Sequence, residues 1–279
     1  MLLLSSALWG FGLESINEIA VFPYLSPQKL VQLYKPLAQD LELKLGHPVR
    51  VVSAPNYTKF MERLAQHRYV LVINASHMAR MAQLDEEYQP ILRPLTDLKA
   101  VVVVPRNSAL MDTAELRNAV VGVPSRIAQI TQIAKAMMRE EGLEPGTDIT
   151  FVHHPTHSSA VMAVANGKAQ AAVISSRAMD QLRDRVGDRL RILSDSGNLT
   201  GALPGKAPPV IYQVSPLLDI QAREQLVQII TRFTNNTKAG QAFINQFGYR
   251  GLRHLEPGEM EAMTPFLPAL RAQLVESGK

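Results

Sequence analysis

The stretch "TFVHHPTHSSAVMAVANGKAQAAVIS", residues 150–175, decides the fold class of this 279-residue chain. It opens with a β-strand pattern that ends at Pro155, because the residue before a proline is disfavoured in the helical region. Thr156, Ser158 and Ser159 then place hydroxyls at the start of an apolar helix, which runs to Gly167 and is followed by another strand. Strand, helix and strand in this order predict a βαβ unit with parallel strands.

The same alternation extends along most of the chain. Strands are predicted at "VRVVSAP", "YVLVINAS", "KAVVVVP", "AVVGVPS" and "VIYQVSP", with helices between them and further helices from about Ile220. The pattern predicts an α/β fold of two lobes, each a mainly parallel sheet flanked by helices. Pro- and Gly-rich passages place the crossings near residues 99–105 and 196–209. We expect one lobe from residues 18–100 plus 205–279 and a second from 101–204.

Composition narrows the possible functions. The chain is 46% hydrophobic and 19% charged, with a formal charge of +4 and no run of like charges, which argues against a nucleic-acid-binding surface. It contains no cysteine, so disulfides, thiolate metal sites and cysteine nucleophiles are excluded. The apolar start "MLLLSSALWGFG" is too short to span a bilayer and is typical of a signal peptide, so residues 1–17 are predicted to be signal-like. The alternative is a buried N-terminal segment.

Several stretches resemble one known family in the same order. "YKPLAQDLELKLGHPVRVVSAPNYTKFMERLAQHRYVLVINASHMARM" resembles the first lobe of periplasmic substrate-binding proteins that serve phosphonate, phosphite and phosphate ABC transporters. "ALMDTAELRNAVVGVPS" is similar to the segment that opens the second lobe of these proteins, and "HSSAVMAVANGKAQAAVIS" resembles its later helix and strand. The resemblance covers residues 18 to 266.

The resemblance implies a type II periplasmic-binding-protein fold with the ligand held in a cleft between the lobes. The implied function is capture of a small anionic solute for an ABC permease by an exported, periplasmic monomer that has no enzyme activity and no cofactor. A periplasmic sensory component for a histidine kinase is the first alternative, because it uses the same fold. The effector domain of a transcription regulator is disfavoured, since no helix-turn-helix precedes the lobes.

In the first lobe, the candidate ligand-binding residues follow predicted strands, where helix N-termini present free N–H groups to anions. The resemblance implies that Tyr24 and Ser26 contact the ligand after the first strand, although Ser26 is equally well placed as a helix cap. Tyr57 matches the pocket tyrosine of the family. By position, Asn74 and Ser76 begin a second anion-binding helix N-terminus, whereas the following residue, His77, is expected at the surface.

In the second lobe, the candidates are Ser125, Arg126, His157, Ser158 and Ser175. Phosphonate-binding members carry a run of hydroxyl residues where this chain has Ser125 followed by Arg126, Ile127 and Ala128, so the solute is left open. Arg126 is either an anion ligand, because a guanidinium binds oxyanions as a planar fork, or an exposed residue in the first helical turn. His157 matches a pocket position of the family. Ser158 stands where some aminophosphonate binders have an acidic residue, so no amine is expected on the solute.

The three histidines also raise the alternative of a metal-dependent hydrolase. His153 and His157 have the i, i+4 spacing of an HExxH helix, but that motif needs both residues on one helical face with a glutamate between them. Here Pro155 separates them and the glutamate is absent. We therefore expect His153 and His154 at a strand end, pointing to opposite faces, and His157 at the start of the next helix, with no metal bound.

Overall fold

The computed structural model describes residues 11–25, 27–198 and 207–277. The chain divides into two units. Unit 1 comprises Met1–Leu95 and Val210–Glu256, and unit 2 comprises Thr96–Pro209 and Pro257–Lys279. The predicted ligand-binding residue Ser26 and residues 1–10 of the predicted signal-like segment lie outside the described residues.

Strands and helices alternate through most of the described chain. The strands are β1 (Glu18–Val21), β2 (Arg50–Val52), β3 (Leu71–Ala75), β4 (Gln89–Pro94), β5 (Ala100–Pro105), β6 (Val120–Val123), β7 (Thr150–His153), β8 (Ala171–Ser175), β9 (Leu190–Asp195), β10 (Val210–Val214) and β11 (Leu252–Arg253). The helices are α1 (Pro27–Leu45), α2 (Tyr57–Ala65), α3 (Ser76–Asp85), α4 (Gln129–Glu140), α5 (His157–Ala165), α6 (Ser176–Val186), α7 (Ile220–Asn236), α8 (Lys238–Asn245) and α9 (Leu267–Ser277).

Unit 1 is built on a six-stranded sheet with the order β11-β4-β10-β3-β1-β2. β1 is parallel to β2 and β3, whereas β10 is antiparallel to both β3 and β4. The register pairs Gln213 with Val72, so these residues share one sheet face with Asn74, two positions further along β3. The Gln213 Nε2 donates to the Ala79 carbonyl at 2.9 Å, which shows that α3 covers this face.

Unit 2 has a five-stranded sheet with the order β7-β6-β8-β5-β9. β6 is parallel to β7 and β8, and β5 is antiparallel to β8 and β9. Ala100, Val102 and Val104 pack in one hydrophobic cluster with α4, whereas Val101 and Val103 pack in another with α5 and α6. The prediction that "KAVVVVP" forms a strand covered on both faces is therefore confirmed.

The strand pairing differs from the prediction that each sheet is mainly parallel. Each sheet is mixed, because β10 in unit 1 and β5 in unit 2 run against both of their neighbours. The parallel βαβ units predicted around "TFVHHPTHSS" are present in unit 2. The structure also contains β4 and β9, for which the sequence analysis predicted no strand.

The end of the chain also belongs to a different unit from the one expected. The sequence predicted residues 205–279 as part of the first lobe. The structure assigns Pro257–Lys279 to unit 2. Met263 and Phe266 pack with Ala207 in a buried cluster, and the Gln129 Nε2 at the start of α4 donates to the Met263 sulfur at 3.5 Å. These contacts join the C-terminal segment to unit 2.

The described part of the signal-like segment belongs to the fold of unit 1. Phe11 donates its N–H to the Leu217 carbonyl at 2.7 Å and accepts from the Asp219 N–H at 2.9 Å. A short 3₁₀ turn follows at Leu13–Ser15, and the Ile16 side chain is fully buried. In the part of the chain that the structure describes, no helix combines the length and the apolar character that a membrane crossing requires.

Candidate functional site

Two tyrosines lie near each other at the carboxyl edge of the unit 1 sheet. The Tyr24 ring stacks on Phe22 directly after β1, with ring centroids 4.7 Å apart, and the Phe22 centroid is 6.2 Å from that of Tyr57. Tyr57 occupies the first position of α2, which Asn56 caps by accepting from the Lys59 N–H at 2.8 Å. Burial raises the pKa of Tyr57, so its hydroxyl stays protonated and able to donate.

Asn74, near the end of β3, is buried and unsatisfied. Its side chain is fully inaccessible, and neither Oδ1 nor Nδ2 has a hydrogen-bond partner among the described residues. Ser76, the first residue of α3, is also fully buried. The expectation that His77 lies at the surface is wrong, because its side chain is only 1% exposed in the first turn of α3.

In unit 2, His157 and Ser175 come together at the ends of two elements. His157 is the first residue of α5, and its Nδ1 accepts from the Ser175 N–H at 3.4 Å, at the end of β8. Burial lowers the pKa of His157 to about 4, so the ring is neutral at pH 7. With Nδ1 acting as the acceptor, the proton is on Nε2, which is a donor. The Ser175 Oγ accepts from the Ala178 N–H at 3.2 Å as the cap of α6, which leaves its own proton available.

The segment around Pro155 folds as its residues predict. Thr156 caps α5 through a reciprocal capping box with Ser159, and the Thr156 Oγ1 accepts from the Ser159 N–H at 3.1 Å. Thr156 and Ser159 thus satisfy each other's hydrogen bonds. The third hydroxyl residue of the segment, Ser158, has a partly exposed side chain and no hydrogen bond from that side chain to the described residues. The prediction that a helix starts here is confirmed.

Ser125 and Arg126 lie in a turn between β6 and α4, so the expectation of Arg126 in a first helical turn is wrong, because α4 begins only at Gln129. The Ser125 Oγ accepts from the Ile127 N–H at 3.4 Å, and the Arg126 side chain is exposed. Burial lowers the pKa of His153, and the positive charge of Arg126 acts in the same direction, whereas the pKa of His157 is lowered by burial.

The first two histidines of the motif precede α5, which begins at His157, and His153 has a different hydrogen-bond partner from His157. His153 ends β7, with its Nδ1 3.1 Å from the Pro124 carbonyl oxygen, and the His154 Nε2 is buried close to Gly122. Within residues 11–25, 27–198 and 207–277, no group of three His, Asp or Glu side chains is arranged to hold a metal ion. The structure thus gives no support to the hydrolase alternative.

The positions of these residues at strand ends are those at which α/β proteins bind anions. A family model described as the periplasmic substrate-binding protein of phosphonate ABC transporters matches residues 19–259. The chain belongs to this family. The phosphonate-transporter family consists of substrate-binding transport proteins, which work with ABC transporters to take up small solutes. No protein of curated function matches the sequence.

Solved structures of binding proteins share the fold of this family member at low sequence identity. PhnD1 from Prochlorococcus marinus, in complex with methylphosphonate, is 13% identical with a TM-score of 0.77, over 91% of this chain and 97% of that one. A binding protein of an ABC phosphonate transporter from Pseudomonas aeruginosa is 11% identical with a TM-score of 0.73, over 93% and 95%. The aliphatic sulphonate binding protein from Escherichia coli is 16% identical with a TM-score of 0.62, over 93% and 82%.

One buried polar residue on the sheet face that carries Asn74 was not predicted from the sequence. Gln213 is fully buried in β10, and its Oε1 has no partner among the described residues. The available signal was the glutamine in "VIYQV", which is otherwise a buried apolar strand. Because buried polar side chains are normally satisfied, such an interruption marks a position that calls for an explanation.

Proposed function

We propose that this protein is exported to the periplasm, where it binds a small tetrahedral oxyanion, such as an alkylphosphonate, and delivers it to an ABC permease. The protein would act as a monomer, without a cofactor and without a catalytic step. Family membership and the donors at the strand ends support this proposal. Among the similar solved structures, the Prochlorococcus protein is in complex with methylphosphonate and the Escherichia coli protein is an aliphatic sulphonate binding protein, and both of these ligands carry a tetrahedral oxyanion.

The observation that carries the proposal is the Asn74 amide. A buried amide left without partners costs about 1–3 kcal/mol, so native proteins rarely keep one unless a ligand or water satisfies it. Asn74 lies near the end of β3, just before the N-terminus of α3, where the backbone N–H groups and the helix dipole favour negative charge. We propose that its Nδ2 donates to a solute oxygen, together with the Tyr57 hydroxyl and with Tyr24 nearby.

Unit 2, taken by itself, also carries a set of neutral donors. Neutral donors at the N-termini of α5 and α6 are the His157 Nε2, the Ser175 hydroxyl and the Ser158 hydroxyl. Ser125 adds a third hydroxyl. Neutral donors bind an oxyanion without placing a second buried charge beside it, which limits the desolvation cost. None of these proposed residues carries a carboxylate, so a solute bearing a cationic amine would gain no ionic partner from them.

A thermal-shift screen tests this proposal. Methylphosphonate, phosphate, phosphite, methanesulfonate and acetate are added one at a time, and one tetrahedral oxyanion should raise the melting temperature. At a ligand concentration of about 100 times Kd the stabilisation is about 2.7 kcal/mol, which is a shift of several degrees for a chain of this size. Asn74→Leu in unit 1 and Ser175→Ala in unit 2 should each weaken the response.

The matched control is Asn166→Ala at the opposite end of α5 from His157, which should leave the ligand response unchanged. A screen in which none of the oxyanions changes the melting temperature would overturn the proposed function. A response that survives both Asn74→Leu and Ser175→Ala would place the solute elsewhere in the molecule.

A further inference from the structure

Two loops of unit 1 carry the tyrosines that we propose bind the solute. Tyr24 follows β1, and Tyr57 opens α2 after the loop that leaves β2 at Val52. The Phe22 ring neighbours both tyrosines, with its centroid 4.7 Å from that of Tyr24 and 6.2 Å from that of Tyr57. The placement of one tyrosine relative to the other therefore depends on how the two loops are held together.

Ser53 links the two loops through its side chain. Its Oγ donates to the Val21 carbonyl oxygen at 2.7 Å, at the end of β1. The backbone pairing of β1 with β2 ends one residue earlier, at Ala20 and Val52. The side-chain hydrogen bond thus extends the link between the strands to the residues from which both loops depart.

Arg63, in the last turn of α2, holds the backbone of Ser53. Its Nη1 donates to the Ser53 carbonyl oxygen at 3.0 Å and to the Tyr69 Oη at 3.2 Å. Tyr69 is itself fixed, because it is buried, its ring stacks on Phe60 with centroids 5.6 Å apart, and its carbonyl accepts from the Tyr88 hydroxyl at 2.8 Å. One guanidinium nitrogen therefore joins the loop before α2, the end of α2 and the chain that enters β3.

The hydrogen-bond partners of Arg63 are neutral, although the residue is partly buried. Within the described chain its guanidinium forms no ion pair. A partly buried charge loses hydration, and here the loss is offset by hydrogen bonds to a carbonyl and a phenol instead of by a carboxylate. Arg63 therefore contributes the geometry of a planar donor group, which fixes directions more firmly than a flexible point charge does.

We propose that Arg63 is a positioning residue for Tyr57 and that, through Ser53, it sets where the Tyr57 hydroxyl stands relative to Tyr24. This role rests on the proposed function, which assigns both tyrosines to the solute. Arg63 itself does not touch the solute. It acts by fixing the loop from which α2 starts, so its loss lets Tyr57 move away from the geometry that binds the solute.

NMR of the tyrosine rings in the solute-free protein tests this positioning directly. The Tyr24 and Tyr57 resonances are assigned with Tyr24→Phe and Tyr57→Phe. Arg63→Met should shift or broaden the Tyr57 resonance, and Ser53→Ala should do so with the Arg63 charge still present. The matched control is Arg68→Met, which removes the same charge from an exposed residue of the same unit and should leave the Tyr57 resonance in place. An unmoved Tyr57 resonance in Arg63→Met overturns the proposal, whether or not any solute binds.

Calorimetric titration measures the consequence for binding, with whichever of methylphosphonate, phosphate and methanesulfonate binds the wild type. Arg63→Met should raise Kd at least about fivefold in the wild-type background and less than about twofold in the Tyr57→Phe background, as expected for two coupled residues. A purely structural role would lower the melting temperature and raise Kd by the same factor in both backgrounds, which would also overturn the proposal.

Two further outcomes are separable. If Arg63→Met does not fold, Tyr69→Phe takes its place in both measurements, because it removes one acceptor of Arg63 and keeps the stacked ring. If no oxyanion binds the wild type, the proposed function fails, and the Tyr57 resonance still decides whether Arg63 positions this tyrosine.

Discussion

At the scale of single residues, the three histidines of "VHHPTHSS" are separated by the local backbone. Pro155 ends the extended segment that carries His153 and His154, and Thr156 starts the helix that carries His157. His153 is bonded to the Pro124 carbonyl and His157 to the Ser175 N–H. The sequence predicted this division because a proline and a capping hydroxyl act through neighbouring residues alone.

His157 predicts a pH dependence of stability. Its folded-state pKa of about 4 lies below the value of about 6.5 for an unfolded chain, so the unfolded state takes up the proton first as the pH falls. The contribution of neutral His157 to the free energy of unfolding is thus fully present above about pH 6.5. As the pH falls from about 6.5 to about 4, the free energy of unfolding decreases by roughly 1–3 kcal/mol. Urea unfolding at neutral pH and near about pH 5 measures this loss.

His157→Gln should reduce that acid loss, since glutamine cannot take up the proton. The exposed His254→Gln is the matched control and should keep the wild-type difference between the two pH values. An equal acid loss in wild type and His157→Gln would contradict the burial of a neutral imidazole at this position.

Asn74 predicts opposite effects on stability and on binding. Asn74→Leu removes a buried unsatisfied amide at similar volume, so the free energy of unfolding without solute should stay level or rise by about 1 kcal/mol. Solute affinity should fall about tenfold or more, as expected for the loss of a hydrogen bond to a charged group. Chemical unfolding and calorimetric titration measure the two effects.

Asn56→Leu is the contrasting control for Asn74. The Asn56 side chain caps α2, so its replacement should lower the stability by about 1 kcal/mol. If Asn74→Leu destabilises the protein as much as Asn56→Leu does and leaves solute affinity intact, Asn74 has a structural role only.

At the scale of elements, the segment Phe11–Asn17 acts as part of unit 1. Phe11 is bonded to the loop between β10 and α7, Ile16 is fully buried, and the Asn17 carbonyl accepts from the Arg50 N–H at 2.9 Å at the start of β2. We predict that a chain beginning at Glu18 melts at least about 5 °C below one beginning at Phe11, because a buried isoleucine and these backbone bonds are lost. Equal melting temperatures of the two chains would show that the segment is dispensable.

The sequence predicted the elements with strong local signals and missed those without them. β5 is a continuous run of branched apolar residues, and α5 is preceded by Pro155 and by its capping residue Thr156, so both elements were predicted. β4 contains Pro90 and Pro94, and β9 carries Arg191 among its apolar residues, which weakened the strand pattern in each. The mixed pairing arises because β5 and β10 insert between strands that are distant from them along the chain. Local sequence patterns do not encode such insertions.

The candidate site shows the same limit. Asn74 and Ser175 were predicted as candidates from their positions at strand ends, and His157 was predicted from the family resemblance. The effect of Arg126 on Lys135 and His153 arises between α4 and β7, nine and 27 residues away along the chain, and no local pattern indicates it.

At the scale of the whole molecule, the fold has persisted while the sequence has diverged. The chain shares 13% of its residues with the methylphosphonate-bound Prochlorococcus protein and 16% with the Escherichia coli sulphonate binder, at TM-scores of 0.77 and 0.62. Because the fold is shared at such low sequence identity, the arrangement of strand ends and helix N-termini is common to these proteins. Under the proposed function, specificity among phosphonate, phosphate and sulfonate depends on a few side chains at those ends.

Isothermal titration calorimetry of the purified protein with methylphosphonate, phosphate, phosphite and methanesulfonate tests the central claim most directly. The account predicts one-to-one binding of at least one of these oxyanions with a Kd of about 1 μM or tighter, about −8 kcal/mol. Binding should weaken about tenfold or more in Asn74→Leu and in Ser175→Ala, through loss of a donor to a charged group. The absence of binding heat with all four oxyanions would contradict the account.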